Sequence, residues 1–469
     1  MYDFDLVVIG SGPAGEKAAT QAAYFEKRVA LIEKEPHLGG ACIHTGTLPS
    51  KTLRETALYL SGLQQRSLYG VSLEVRRDVS VPDLMCRQET VIGSQHDRIR
   101  WNLDRNKIEL VRGTATFLDE HTVEVSAQPG QVRRMTAEVV LIATGTTPFR
   151  PPYVPFEDPA VDDSDTILKL PEVPKRLVIL GGGVIGCEYG SMFAALGCSV
   201  TIVEGRDAIL GFLDNEVNHL LTDRMREIGV EILLKRQVVN VGRKDGVLHC
   251  ELDDGRDLAC ERLLFAGGRA GNTQGLGLEH VGVVPDPRGL VKVDEHYRVV
   301  GARGNIFAAG DVIGFPALAS VAMEQGRVAM CHAFDLKFKT RVAPLFPYGL
   351  YTIPEVSMVG ETEETATKKG IEFEVGRARY RDNARGQIIG DTSGLVKLLF
   401  TVPDKKVIGV HVLGERATEL VHTGMALMHF GGTIDDFITM VFNFPTLGEL
   451  FKYAAYDGLG KLARRTAFA

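Results

Sequence analysis

Apolar positions along the chain gather into short uninterrupted runs, and two stretches of the sequence repeat one plan around them. Leu6-Val7-Val8-Ile9 leads into Gly10-Ser11-Gly12-Pro13-Ala14-Gly15, a stretch of helical character, and then Val29-Ala30-Leu31-Ile32-Glu33. Leu177-Val178-Ile179-Leu180 leads into Gly181-Gly182-Gly183-Val184-Ile185-Gly186, a second helical stretch, and then Ser199-Val200-Thr201-Ile202-Val203-Glu204. Unbroken apolar runs bounded by glycine predict strands buried on both faces of a parallel sheet. In both copies the acid follows the first glycine by 23 residues. The first glycine permits the tight turn, the second lets a pyrophosphate approach the backbone, and the third permits close helix–strand packing. The phosphates sit at the helix N-terminus, and the acid accepts from a ribose hydroxyl. Gly10, Gly12, Gly15 and Glu33 therefore predict one dinucleotide site, and Gly181, Gly183, Gly186 and Glu204 a second.

Between and beyond the repeats the pattern changes three times. Pro148-Phe149-Arg150-Pro151-Pro152-Tyr153-Val154-Pro155 reads as a crossing between units, which sets a boundary near residue 150. From about 230 to 265 short strands alternate with Asp-Gly turns at Asp245-Gly246 and Asp254-Gly255, a meander. Past residue 342 come Pro344, Pro347 and Pro354, strand-like runs at 395–400 and 407–412, and partly aromatic helical segments. This last part carries no nucleotide fingerprint and is expected to supply an interface.

A chain of 469 residues suggests two to four domains, and 45% hydrophobic with 24% charged residues is ordinary globular composition. The net charge of -7 provides no basic excess for nucleic acid or a lipid surface. The first residues carry no basic leader, and no apolar run approaches the roughly 18 residues of a membrane span, so the expectation is a cytoplasmic protein with no membrane partner. Seven cysteines form no framework and read as reduced thiols; all except Cys42 are expected to be packing residues.

The segment Gly39-Gly40-Ala41-Cys42-Ile43-His44-Thr45-Gly46-Thr47-Leu48-Pro49-Ser50-Lys51 resembles the redox motif of the flavin-dependent disulfide reductases. There the motif reads Cys-x4-Cys; here Thr47 stands at the second thiol, so no disulfide can form. Leu141-Ile142-Ala143-Thr144-Gly145 and Asn305-Ile306-Phe307-Ala308-Ala309-Gly310-Asp311 resemble the family's later flavin segments, in the family's order. The resemblance implies an α/β fold of two Rossmann-like dinucleotide-binding domains plus a C-terminal α+β dimerisation domain. Its parts would be 1–150 and 276–342 for FAD, 151–275 for NAD(P) and 343–469 for dimerisation, giving a homodimer or larger homo-oligomer.

On the FAD side the resemblance implies Gly10, Gly12, Gly15, Glu33, Lys34, Gly40, Cys42, Thr47, Ala115, Thr144, Gly145 and Asp311. On the NAD(P) side it implies Gly181, Gly183, Gly186, Glu204, Arg206 and Gly268, the last in a Gly268-Arg269 segment in which Gly271 replaces a proline. Lys51 and Glu188 would meet beside flavin N5 as the catalytic pair, with no metal. The family's C-terminal His-Pro-Thr-x-x-Glu, whose His serves the dithiol, here reads Phe444-Pro445-Thr446-Leu447-Gly448-Glu449. The thiol relay and its base are both missing while the hydride site is intact.

The implied reaction is reversible hydride transfer between NADPH and NAD by ping-pong through the flavin, with the nicotinamide nucleotides as the only partners. Glu204 favours the NAD ribose, and Arg206 two residues later offers a cation to a 2'-phosphate. An NADH oxidase or diaphorase passing electrons to oxygen or quinones, and a redox-sensing flavoprotein without turnover, stand as alternatives. Under the first of these Cys42 would be a sulfenic acid centre.

Overall fold

The computed structural model describes residues 1–65, 81–128 and 130–467. The strands Glu109–Arg112, Val29–Glu33, Phe4–Ile9 and Gln131–Ile142 lie side by side in that order and run parallel. The long strand Gln131–Ile142 then divides its pairing. Its last residues take the parallel strand Ile306–Ala308, and its first residues begin an antiparallel meander with Thr122–Gln128 and Thr114–Phe117. Alternation sends Val7, Ile9, Ala30 and Ile32 into one core and Leu6, Val8 and Leu31 into another. The first core lies under the meander; the second lies under the helices Pro13–Tyr24 and Ala319–Ala333. Both faces are covered, which is why the apolar runs are continuous.

The second repeat builds a five-stranded parallel sheet in the order Val230–Leu234, Ser199–Glu204, Arg176–Leu180, Arg262–Phe265 and Val161–Asp162. The predicted meander is an antiparallel sheet of Val238–Lys244, Val247–Leu252 and Asp257–Cys260, turning at Asp245-Gly246 and Asp254-Gly255. The two crossings between these units are tied together, since Arg269–Gly271 pairs antiparallel with Thr146–Pro148.

The remainder is α+β: a five-stranded antiparallel sheet ordered Tyr348–Leu350, Val356–Gly360, Val407–Leu413, Leu395–Thr401, Phe373–Arg379, covered by the helices Ala417–His429 and Glu449–Ala467. Lys397 in this sheet is fully buried and docks the second unit onto it. Its ammonium lies 2.6 Å from Asp214, 3.0 Å from Glu216 and 2.5 Å from Glu363. Asp214 also caps the helix Asn215–Glu227. These three carboxylates could hold a cation, and the lysine supplies it.

One core joins all three parts. Leu53 and Ala57 from the helix Thr47–Gln65, Tyr189 and Phe193 from the helix Val184–Ala195, and Leu350, Ile353 and Leu413 from the third unit pack in one cluster. Among the described cysteines, Cys187, Cys198, Cys250, Cys260 and Cys331 are buried and free, and Cys42 is half-buried; the Cys86 side chain lies outside the described residues.

Candidate functional site

The two glycine turns have the same geometry. Gly10 and Gly181 close their strands with φ of +105° and +111°, a region that favours glycine. A Cβ on Gly15 would fall into the carbonyl of Gly10, and one on Gly186 into the carbonyl of Gly181, so the helices Pro13–Tyr24 and Val184–Ala195 sit against their strands. A Cβ on Gly12 or Gly183 would meet nothing within 4 Å. Neither residue has a side chain to cap its helix, so both N-termini present free backbone N–H groups to open space. The residues fit a pyrophosphate at each turn.

The acids are anchored alike. Glu33 accepts from the Ser11 backbone N–H at 2.9 Å and the Ser11 hydroxyl at 2.6 Å. Glu204 accepts from the Gly182 N–H at 2.7 Å. Glu204 is further gripped by Arg206, whose Nε donates at 3.0 Å and Nη2 at 2.8 Å. Burial opposes the charge on Glu204. The Arg206 guanidinium and the Arg206 and Gly182 backbone N–H groups outweigh it and hold the carboxyl at about 2.

Lys51 and Glu188 meet. The Lys51 ammonium donates to Glu188 Oε2 at 2.6 Å, and the Tyr351 backbone N–H donates to Oε1 at 2.8 Å. The Tyr351 ring lies under the same ammonium, 4.8 Å from its centroid. One turn on, Arg54 donates to the Thr352 carbonyl at 3.1 Å and pairs with buried Glu355 at 3.0 Å. The helix Thr47–Gln65, the helix Val184–Ala195 and the start of the third unit are thus locked at one point.

Cys42 lies in the helix Gly40–His44, with its side chain hydrogen-bonded to Thr47 and its thiol within the electrostatic reach of Asp311 and Lys51. Burial pushes this thiol up, and the Thr47 bond only partly offsets it. Gly40, with φ of +59°, packs against Gly12. Asp311 is also pushed up by burial, opposed by Arg269 and a bond from the Thr146 hydroxyl. The Thr144 hydroxyl is buried without a partner among the described residues. Gly145, with φ of +67°, borders open space, and Asn272 ties the Thr144 and Gly145 carbonyls to the second unit at 2.9 and 3.0 Å. Ala115 is buried in the meander opposite Val125, and Lys34 is exposed beside Glu35. Gly268, with φ of +116°, lies against Arg288. Phe444 is exposed on the third unit, near exposed Val441 and Met440.

Sequence reading missed Tyr351, Arg54 and Glu355, and named Arg269 only as part of the Gly268-Arg269 segment. Arg269 donates to the Thr146 hydroxyl at 2.8 Å and carbonyl at 2.7 Å. For Tyr351 the only local sign was Pro354 ending a short apolar run; for Arg54 and Glu355 there was none.

Residues 4–326 match the family described as pyridine nucleotide-disulphide oxidoreductase, and residues 346–455 match its dimerisation domain. The chain is 45% identical to the soluble pyridine nucleotide transhydrogenase of Mycobacterium bovis (strain BCG / Pasteur 1173P2), over 100% of both chains. It is 41% identical to the protein of the same name from Azotobacter vinelandii, covering 98% of this chain and 99% of the relative. Among solved structures, LpdA of Mycobacterium tuberculosis superposes with a TM-score of 0.87 at 27% identity, over 96% of this chain and 99% of that one. The HOCl-induced flavoprotein disulfide reductase RclA of Escherichia coli, as its Cu(II) complex, superposes with a TM-score of 0.86 at 28% identity, over 97% and 99%.

Proposed function

The chain belongs to the pyridine nucleotide-disulphide oxidoreductase family, and on that premise we propose that it is an FAD-dependent transhydrogenase. It exchanges hydride between NADPH and NAD, in either direction, with no redox-active disulfide. The relatives named soluble pyridine nucleotide transhydrogenase, at 41–45% identity over nearly the full chain, support the reading. The observation that carries it is the pairing of an intact Lys51–Glu188 contact with Thr47 beside Cys42.

The first fingerprint, with Glu33, Thr144 and Asp311, holds FAD; the second, with Glu204 and Arg206, takes the nicotinamide nucleotides in turn. FAD, when bound, supplies the two-electron acceptor and donor that lets one nucleotide leave before the next arrives. Lys51 fixes a positive charge where negative charge develops during transfer, and Glu188 with the Tyr351 ring holds it in one orientation. Thr47 carries no thiol, so electrons have no covalent path to a disulfide substrate. The third unit pairs two copies of the chain, and the cytoplasm, which holds both nucleotides, is its compartment.

Anaerobic mixing of NADPH with a thio-NAD analogue tests this directly. The expected result is formation of reduced thio-NAD by a yellow protein that leaves lipoamide and glutathione disulfide untouched. Efficient lipoamide reduction, or nucleotide oxidation that requires oxygen, would overturn it.

A further inference from the structure

The strands Ser199–Glu204 and Val230–Leu234 run parallel and end in register, with Glu204 beside Leu234. The turns that follow therefore share one edge of the sheet, and backbone bonds stitch them together. The Lys235 N–H donates to the Arg206 carbonyl at 2.9 Å, and the Arg236 N–H donates to the Glu204 carbonyl at 3.1 Å. At this edge the obvious cations are already engaged. Arg206 forms a two-pronged pair with Glu204, and Arg236 lies 2.6 Å from Asp254. Glu204 and Arg206 together carry no net charge, so a phosphate dianion arriving beside them gains little attraction from the pair.

Lys235 differs from both. It is exposed, and among the described residues its ammonium has no hydrogen-bond or ion-pair partner. Its backbone is left-handed, with φ of +54°, uncommon for a residue other than glycine, asparagine or aspartate. The Arg206 carbonyl holds it there. Gln237, two residues on, carries its amide nitrogen 3.6 Å from where a Cβ on Gly205 would sit, and among the described residues that nitrogen donates to no group.

We propose that Lys235 is a second specificity residue for the 2'-phosphate of NADP, with the Gln237 amide as an adjoining donor. The inference rests on the reading that the second fingerprint takes both nucleotides, and it explains how one site can do so. For NAD, Glu204 meets the ribose hydroxyls while Lys235 stays in water. For NADP, Lys235 adds the net positive charge that the Glu204–Arg206 pair lacks. Lys235 therefore contributes to one nucleotide and is silent toward the other.

Calorimetric titration of the FAD-loaded protein with 2',5'-ADP and with 5'-AMP tests this without any turnover. Lys235→Gln should weaken 2',5'-ADP roughly 5- to 30-fold, less than a buried charged bond because the site is exposed. Binding of 5'-AMP should stay within about 2-fold, since it makes no charge-assisted bond to Lys235. Lys235→Arg, which keeps the charge, should recover most of the loss. The difference between wild type and Lys235→Gln should shrink as salt rises from about 20 to 300 mM. Unchanged 2',5'-ADP affinity in Lys235→Gln, or equal losses for both ligands, would overturn the assignment of Lys235 while leaving the two-nucleotide reading standing. Wild-type protein that binds 5'-AMP but not 2',5'-ADP would overturn that reading and this inference together.

Discussion

Lys51 and Glu188, 137 residues apart in sequence, meet through a 2.6 Å contact on the wall where three parts of the chain converge. A buried carboxylate on one side and an aromatic face on the other leave the ammonium a single position. Replacing it with the isosteric Lys51→Met should slow anaerobic flavin reduction by NADPH roughly 100-fold, the usual effect of removing one preorganised charge. FAD content should be unchanged. Glu188→Gln keeps an acceptor for the Tyr351 N–H and should have a smaller effect, about 10-fold. Stopped-flow traces at the flavin band give both rates, and an unchanged rate in Lys51→Met would remove that residue from the reaction.

Cys42 should behave as a quiet thiol. Burial disfavours its thiolate, so its midpoint lies above the usual thiol value. Alkylation by iodoacetamide at neutral pH should be slower than that of free cysteine and should accelerate only at higher pH. Two-electron reduction should show no long-wavelength thiolate–flavin band, and Cys42→Ser should keep most of the activity. A loss beyond about 100-fold, roughly 2.7 kcal/mol of transition-state stabilisation, would instead make the thiol a participant.

The fingerprint glycines should divide into two kinds. A Cβ on Gly12 meets no protein atom, whereas one on Gly15 collides with the Gly10 carbonyl. Gly12→Ala should therefore fold with a nearly unchanged apoprotein melting temperature yet purify with little FAD. Gly15→Ala should be destabilised as apoprotein too. Flavin absorbance and thermal melts of both variants separate the cases, and equal melting points would contradict the packing argument.

Arg206 protects a buried carboxylate. With Arg206 present, Glu204 stays ionised down to a pH of about 2, so its hold on the NAD ribose should not titrate in the ordinary assay range. The stability that this depressed carboxyl contributes is present above its unfolded value of 4.5 and is lost only as pH falls toward 2. In Arg206→Ala, burial is opposed only by the two backbone N–H groups, and the midpoint should rise. The KM for NADH should then climb as pH drops through the weakly acidic range, a dependence absent from the wild type. The same variant leaves a bare carboxylate facing the 2'-phosphate, and kcat/KM for NADPH should fall roughly 10- to 150-fold. Equal losses for NADPH and NADH near neutral pH would show that the phosphate is read elsewhere.

The ion cluster at Lys397 should matter for stability. Lys397→Met leaves Asp214 fully buried without its ammonium partner. Removing one partner of a buried pair typically costs about 3–5 kcal/mol. Urea denaturation should register that loss, and a shift under 1 kcal/mol, at the level of a surface pair, would mean that Arg377, which lies 2.8 Å from Glu216 and 2.9 Å from Glu363, takes over the cluster.

What could be read from the residues was set by how local each constraint is. A glycine turn followed at a fixed distance by an acid is local, and Gly10 to Glu33 and Gly181 to Glu204 stand out in the chain before any fold is known. The alternation within Leu6–Ile9 and Val29–Ile32 is equally local. Lys51 and Glu188 carried no such sign and were found through family resemblance alone. Arg54 bonding Thr352, Arg269 bonding Thr146 and Lys397 bonding Asp214 span 298, 123 and 183 residues. Pairs of that kind depend on how domains dock, and no period or spacing announces them.

Tyr351 has a consequence for the order in which the protein becomes competent. Both nucleotide turns are complete once the chain has been made through Asp311, yet the oxygen of Glu188 that faces Tyr351 has no donor until the antiparallel sheet folds against it. Without that sheet the Glu188–Lys51 pair loses the Tyr351 N–H on one side and the Tyr351 ring on the other, and the shared core loses Leu350, Ile353 and Leu413. On the proposed function, the third unit is thus the one that arms the centre, by fixing the carboxylate and the ammonium beside which hydride would pass.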